Sequence, residues 1–303
     1  MKLPPVAYRC PESLDEAIAL LAADDEAQIL SGGQSLMPML AFRLAAPSVL
    51  VDLRRVPGLD RIAIDAEGTH VGSRVTWRAL ERSHALAAAQ PLLAAALPHI
   101  AHYQIRNRGT VGGSLAHADP AAELPAVALT LDATIEVAGP AGPRRIGAQD
   151  FFLGAMTTAL EPGEIVTALH LPPAPATRRH GFEEFARRRG DFALAGIALS
   201  LDVTLPLDVT MARDRAAPRI EGARIAAFGI ADVPLRLDAV EAALEGAVAD
   251  ASAVAAAEAA CVASVTPDGD PSADAAYRRA LLATLLGRAL ACALENPPAE
   301  RAA

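Results

Sequence analysis

Lysine is nearly missing from this chain: Lys2 is the only one in 303 residues, and arginine supplies the rest of the positive charge. That excludes a buried Schiff-base lysine and a phosphate-binding lysine behind a Gly-rich loop. Basic blocks are absent too. With a formal charge of −9 the chain lacks the clustered cations that bind a nucleic-acid backbone, so no nucleic-acid partner is expected. Cysteine is scarce: Cys10, Cys261 and Cys292 lie too far apart for a disulfide framework or for the closely spaced ligands of an iron–sulfur cluster, and they read as core thiols in a reducing compartment. No uninterrupted run of about 18 apolar residues occurs, and no apolar segment follows Met1-Lys2-Leu3-Pro4-Pro5, so neither a spanning segment nor an export signal is expected. The expectation is a cytoplasmic protein. Also missing are a Gly-x-Gly-x-x-Gly after a strand, a Gly-x-x-x-x-Gly-Lys, a Gly-x-Ser-x-Gly elbow and a His-Glu-x-x-His helix, which removes the common nucleotide, hydrolase and zinc signatures.

What the chain does have is apolar material and two related Gly phrases. With 52% hydrophobic residues it can build packed cores in two or three domains. Ser31-Gly32-Gly33-Gln34-Ser35-Leu36 follows an apolar stretch ending at Leu30, and Thr110-Val111-Gly112-Gly113-Ser114-Leu115 opens a longer phrase running to Leu124. Glycine admits positive φ and close backbone approach, so each phrase offers N–H donors of the kind that cradle a diphosphate. Two cradles suggest one ligand between them; a pair of ordinary tight turns is the competing reading.

Ser13-Leu14-Asp15-Glu16 is a capping box ahead of a helix reaching about Ala23. A strand at Gln28–Leu30, a helix over Ser35–Leu44 and a strand at Val49–Leu53 make a small α/β lobe with the first Gly loop at a strand's C-terminal end. Paired strands follow at Arg61–Ile64 and His70–Gly72, then a helix capped by Thr76, with Trp77 as a packing residue, and a helical stretch from Leu86 to Ile100 interrupted or started by Pro91. His99 and His102, three apart, have no third ligand nearby and are read as structural or exposed rather than metal-binding. Arg106 and Arg108 either add charge to the second cradle or pair with local acids. Asp119 and Glu123 either start the next helix electrostatically, to about Leu131, or accept hydrogen bonds from ligand hydroxyls. Strands at Ala133–Val137, Arg144–Ile146 and Glu164–Leu171, with a packing turn at Phe151–Leu153, lead to the Pro-rich linker Pro172–Thr177. Beyond it, strands over 181–188, 193–205 and 219–230 and helices over 236–244, 249–263 and 272–295 make a sheet followed by helices.

Three stretches together carry a resemblance: Ser31 to Pro38, Thr110 to Pro125, and Arg188-Arg189-Gly190-Asp191-Phe192-Ala193. They are similar to the FAD-binding medium subunit of the molybdenum hydroxylases, of the carbon monoxide dehydrogenase type, and more distantly to the flavin domain of xanthine dehydrogenase. The resemblance implies an α+β chain: a two-lobed FAD-binding domain of the vanillyl-alcohol oxidase/PCMH type over 1–175 (lobes about 1–55 and 56–175) and a flavoprotein C-terminal domain over 176–295; the tail at 296–303, with its Pro-Pro pair, is expected from its own sequence to be disordered. It implies non-covalent FAD with its pyrophosphate between Leu30, Ser31, Gly32, Gly33, Gln34, Ser35 and Leu36 on one side and Thr110, Val111, Gly112, Gly113 and Ser114 on the other. Asp119 or Glu123 would bind ribityl or ribose hydroxyls, Ile100 would border the cofactor, and Val166 and Phe192 would lie near the isoalloxazine ring. Relatives often carry a Lys near position 186 and a second Gly after Phe-Gly; here stand Ala186 and, after Phe228-Gly229, Ile230.

The implied partners are a large subunit with the molybdenum cofactor and a small subunit with two [2Fe-2S] clusters, in a dimer of heterotrimers. The implied role is electron transfer from those clusters through FAD to a quinone or another diffusible oxidant; the substrate, whether carbon monoxide, an N-heterocycle or an aldehyde, is chosen by the large subunit. No acid, base or nucleophile is assigned to this chain. A self-contained flavin oxidase or reductase and a flavin-free scaffold subunit are the alternatives.

Overall fold

The computed structural model describes residues 3–175, 177–204 and 217–295. The chain forms two compact units. The first takes in the residues up to Ala89 together with Ile100–Asp119 and Asp132–Pro173; the second takes in Gln90–His99, Pro120–Leu131 and the described residues from Ala174 onward.

In the first unit, β1 (Ala7–Arg9), β2 (Gln28–Leu30) and β3 (Val49–Asp52) form a parallel sheet in the order β1-β3-β2, joined through α1 (Leu14–Ala22) and α2 (Leu36–Ala41). Ser13 caps the helix as expected, its Oγ accepting from the Glu16 N–H (3.1 Å), while the Glu16 carboxylate reaches one residue further back than a capping box requires and accepts from the Glu12 N–H (2.9 Å). Ala17 and Leu21 then pack with Val51, Leu53 and Ile165 in one apolar cluster. The second sheet is antiparallel throughout. Its strands are β4 (Ile62–Asp65), β5 (Gly68–Gly72), β6 (Thr134–Gly139), β7 (Gly142–Gly147) and the late β10 (Ile165–Leu171), in the order β4-β5-β10-β6-β7.

Between β5 and β6 run α3 (Trp77–Glu81), α4 (His84–Ala89), α5 (Pro91–Ala96), α6 (Tyr103–Arg106), α7 (Val111–His117) and α8 (Glu123–Thr130), of which α5 and α8 belong to the second unit. After β7 come α9 (Ala148–Phe151) and the short pair β8 (Phe152–Gly154) and β9 (Thr157–Thr158). Glu164, just before β10, is almost buried and takes a two-pronged hydrogen bond from Arg144 (Nε 2.7 Å, Nη2 2.8 Å) as well as the Glu161 N–H (2.7 Å). That ties the sheet's edge strand to its centre.

The second unit is a four-stranded antiparallel sheet of β11 (Arg178–Phe185), β12 (Ala195–Thr204), β13 (Arg219–Phe228) and β14 (Leu235–Arg236), followed by α10 (Asp238–Leu244), α11 (Ala251–Ser264) and α12 (Ala275–Glu295). The alternating residues Ala195, Ile197, Leu199 and Leu201 point to one face and pack on Val240, Ala257, Leu286 and Leu290 of the helices. On the other face α8, buried from Leu124 to Thr130, is fastened by Thr130 Oγ1, 2.9 Å from Ala126 O and 3.1 Å from Ala198 O. Arg278 is buried where α12 begins; it donates to the carbonyls of Leu194 (2.7 Å) and Gly229 and pairs with Asp270.

Several elements differ from expectation. β1 was not anticipated, because all three of its residues are exposed and show no apolar alternation. The helix expected over Ser35–Leu44 spans only Leu36–Ala41, since Phe42 and Leu44 are exposed and Arg43 turns left-handed at φ 61°. The Leu86–Ile100 stretch breaks at Gln90 and restarts with Pro91, which has no N–H to continue a helix. His99 and His102 therefore share no helix, the one sitting in a turn and the other at the cap position of α6. The expected strand over 181–188 begins earlier, at Arg178, and ends at Phe185. Leu205 and the tail at 296–303 lie outside the described residues.

Two stability effects follow. A Cβ on Gly196 would lie 2.1 Å from Cζ of the fully buried Phe228, so Gly196→Ala should cost about 1–3 kcal/mol in denaturant unfolding. Combined with Phe228→Leu it should cost less than the sum of the two single changes. The Arg144 hydrogen bonds, against an opposing effect of burial, hold the Glu164 carboxyl below its ordinary range. A depressed folded-state pKa stabilises above the unfolded carboxylate pKa, and that stabilisation is lost as pH falls through the folded value. The difference in urea midpoint between wild type and Glu164→Gln should thus be largest at neutral pH and close in acid.

Candidate cofactor site

The first Gly phrase leaves the parallel sheet at the C-terminal end of β2, beside the buried Asp52 that ends β3. Burial pushes the Asp52 carboxyl up, but hydrogen bonds from the Arg54 side chain and N–H and from the Tyr8 hydroxyl outweigh it, and the net shift is downward. The anion ties the end of β3 to Tyr8 on β1 and to Arg54. Gly33 sits at φ 73°, where a side chain is strained, and a Cβ there would crowd Leu30 and Met37 at 3.1 and 3.2 Å. Gln34 Nε2 donates back to Gly32 O (3.2 Å) and Met37 N–H to Gly33 O (3.1 Å), which holds the curve. The N–H groups of Gly33, Gln34, Ser35 and Leu36 have no protein acceptor among the described residues. Four successive open donors are what an anionic ligand needs.

The second phrase is built differently, and here the expectation of a second run of free donors and positive φ is corrected. Gly112 and Gly113 lie inside α7, and neither has positive φ. Their amides are taken: Val111 N–H donates to Val75 O (3.0 Å), Gly112 N–H to Ser73 O (2.8 Å), Gly113 N–H to Thr110 Oγ1 (3.2 Å) and Ser114 N–H to Thr110 O (3.0 Å). Gly112 is required by packing, because a Cβ would lie 2.4 Å from that of Ser73. Gly113 is different. A Cβ there would meet only Thr110 Oγ1 within 4 Å, so a flat, side-chain-free surface is left at that point.

The two phrases meet. A Cβ on Gly32 would stand 2.3 Å from Arg108 O and 2.9 Å from Gly109 Cα, so the first loop rests on the backbone that leads into the second. Ser31 Oγ and Thr110 Oγ1 are hydrogen-bonded at 3.0 Å across the junction. Arg106 is committed elsewhere, donating to Glu81 (2.7 Å) and to the carbonyls of Ile100 (3.0 Å) and Ala101 (2.8 Å). Of the two readings of that arginine, pairing with a local acid is the one realised. Arg108 is exposed and has no acidic partner among the described residues.

The remaining candidates are more scattered. Ile100 is buried, and Val166 is buried in the centre of the antiparallel sheet, at the bulge where β10 meets β6. Asp119 follows Ala118, which ends α7 in the left-handed region at φ 47°. Glu123, the first residue of α8, and Phe192, 71% exposed, belong to the second unit. Ser73 is the residue that sequence reasoning missed: it accepts from Gly112 and donates its own N–H to Thr167 O (2.9 Å), yet a lone serine in a turn carries no signal.

The donor set fits a diphosphate: open N–H groups on one loop, a glycine surface that a Cβ would fill on the next, and an exposed guanidinium in the segment between. Among the described residues no cluster of metal-ligating side chains occurs, and no helix is long and apolar enough to cross a membrane.

Comparison with known proteins agrees with this geometry. Residues 4–174 match the family described as the FAD binding domain in molybdopterin dehydrogenase, and residues 180–293 match the CO dehydrogenase flavoprotein C-terminal domain. The chain is 47% identical over 201 residues to the nicotine 6-hydroxylase medium subunit of Paenarthrobacter nicotinovorans, covering 66% of this chain and 70% of that one. It is 40% identical over 200 residues to the carbon monoxide dehydrogenase medium chain of Afipia carboxidovorans, covering 65% and 69%. Among solved structures, quinoline 2-oxidoreductase from Pseudomonas putida 86 superposes with a TM-score of 0.89 at 38% identity, over 97% of this chain and 99% of that one. The resemblance and the two-part α+β architecture expected from sequence are borne out, and the chain belongs to the FAD-binding medium subunits of the molybdenum hydroxylases, of the carbon monoxide dehydrogenase type.

Proposed function

We propose that this chain is the electron-transfer subunit of its complex, receiving electrons from [2Fe-2S] clusters on a small partner subunit and passing them to an external acceptor. A large partner subunit holds the molybdenum cofactor and hydroxylates the substrate, and the assembly is a dimer of heterotrimers. The observation that carries the reading is the seat of Gly32 on the Arg108–Gly109 backbone, which joins the two Gly phrases into one site. Relatives named as medium subunits of hydroxylases and dehydrogenases support it.

When bound, FAD supplies a carrier that takes up electrons singly and yields them in pairs. The protein's part is to hold and orient it. The N–H groups of Gly33 to Leu36 would donate to the diphosphate, Gly113 would leave room for it, and the Ser31–Thr110 hydrogen bond would keep the two loops in register. Asp119 or Glu123 would accept from ribityl or ribose hydroxyls, Ile100 would border the cofactor, and Val166 and Phe192 would lie beside the ring. None of these roles asks a side chain to move a proton, and no general acid, base or nucleophile is assigned.

The test is an absorption spectrum of the purified full chain before and after incubation with FAD, with Gly33→Val and Gly113→Val alongside and circular dichroism as the folding control. The expected result is near one-to-one flavin uptake by the wild type and loss of most of it in both folded variants. Absence of flavin from the wild type, even when co-expressed with the partner subunits, would leave the scaffold reading in its place.

A further inference from the structure

Ala101 is left-handed at φ 46° without being glycine, and it closes no helix, since α6 does not begin until Tyr103. A residue with a Cβ keeps such an angle only where its surroundings enforce it. The enforcing group is Arg106. Its Nη1 donates to two successive carbonyls, Ile100 O at 3.0 Å and Ala101 O at 2.8 Å, one on each side of the Ala101 Cα. A guanidinium that holds the peptide units on both sides of one Cα fixes φ and ψ there together.

Arg106 is itself anchored. Its Nε donates to Glu81 Oε1 at 2.7 Å, while Glu81 Oε2 accepts from Arg78 Nη1 at 3.1 Å. The Arg78 guanidinium lies over the Tyr103 ring, 5.2 Å from its centroid. The Arg106 and Glu81 side chains are only 15% and 16% exposed, so solvent ions screen the pair weakly. At the other end of α3 the Trp77 N–H donates to Gly109 O at 3.1 Å, and a Cβ on Gly109 would stand 2.9 Å from Trp77 Nε1. One short helix thus grips the 100–109 segment at both ends. The Gly109 end seats Gly32; the Ile100 end presents the residue assigned above to the border of the cofactor.

We propose that Arg106 is a positioning residue for the flavin: by clamping Ile100 O and Ala101 O it keeps Ala101 left-handed and holds Ile100 in the place from which it borders the cofactor. The inference rests on the FAD reading and deepens it, giving Arg106 no contact of its own with the ligand. Without the clamp the binding-competent turn is populated only in part, and the apparent Kd for FAD rises by the inverse of that fraction.

Titration of the flavin-free full chain with FAD, read by quenching of flavin fluorescence, tests it, with circular dichroism as the folding control. Arg106→Gln should raise the FAD Kd by about tenfold or more. Arg106→Lys keeps the charge beside Glu81 but not the fork that spans two carbonyls and a carboxylate, so it should raise the Kd as well. It carries the test if the glutamine variant does not fold. The decisive measurement is rescue. Glycine takes φ 46° without steric cost, so Ala101→Gly added to either variant should return the Kd to within about threefold of wild type. Ala101→Gly alone should change it little. Loss of a merely structural ion pair would not be repaired in this way.

Wild-type affinity in the folded Arg106 variants overturns the proposal, and so does a loss that Ala101→Gly leaves unrepaired. Failure of both Arg106 variants to fold, with or without Ala101→Gly, assigns the arginine to the fold and overturns it too. A wild type that takes up no FAD at all brings down the parent reading, which keeps that failure distinct from failure of the clamp.

Discussion

The site depends on one contact between main chains. Gly32 rests against Arg108 O and Gly109 Cα so closely that any side chain at position 32 would force them apart. Because a loop tip on the parallel sheet touches the segment entering α7, an open donor run and a glycine surface become a single cradle. Other features serve that contact. Asp52 fixes the end of β3 next to Leu30, Ser73 pins Gly112, and Arg106 gathers the carbonyls of Ile100 and Ala101 ahead of the second loop.

The two Gly phrases resemble each other in sequence but divide the work. In the first, glycine provides an unusual backbone angle and leaves four amides open. In the second, glycine provides thinness: Gly112 so that α7 can sit on Ser73, and Gly113 so that nothing projects from the helix at that point. The same residue type thus answers two different constraints, one conformational and one steric. An anion held here would draw most of its backbone hydrogen bonds from the first loop.

This division explains what could and could not be read beforehand. The helix cap at Ser13, the strand ending at Leu30 and the helices of the second unit were legible because local chemistry and burial point the same way there. That two Gly phrases converge was also legible. Which of them kept its donors free was not: the Val111 and Gly112 amides are consumed by Val75 O and Ser73 O, from some forty residues earlier in the chain, while those of Gly113 and Ser114 turn back onto Thr110. β1 escaped because an exposed three-residue strand carries no periodicity, and its pairing with β3 is decided by the main chain alone. The partners of His99 were invisible for the same reason, since Glu184 lies far off in sequence.

The near-absence of lysine then takes on meaning. Arg144 grips both oxygens of Glu164, Arg106 serves a carboxylate and two carbonyls, and Arg278 joins two carbonyls to Asp270. Each of these places needs several donors in a fixed fork, which an ammonium group does not provide. Arginines used this way are closed to ligands. Arg108 is not used in this way: it is exposed, has no acidic partner among the described residues, and lies in the segment on which the first loop rests.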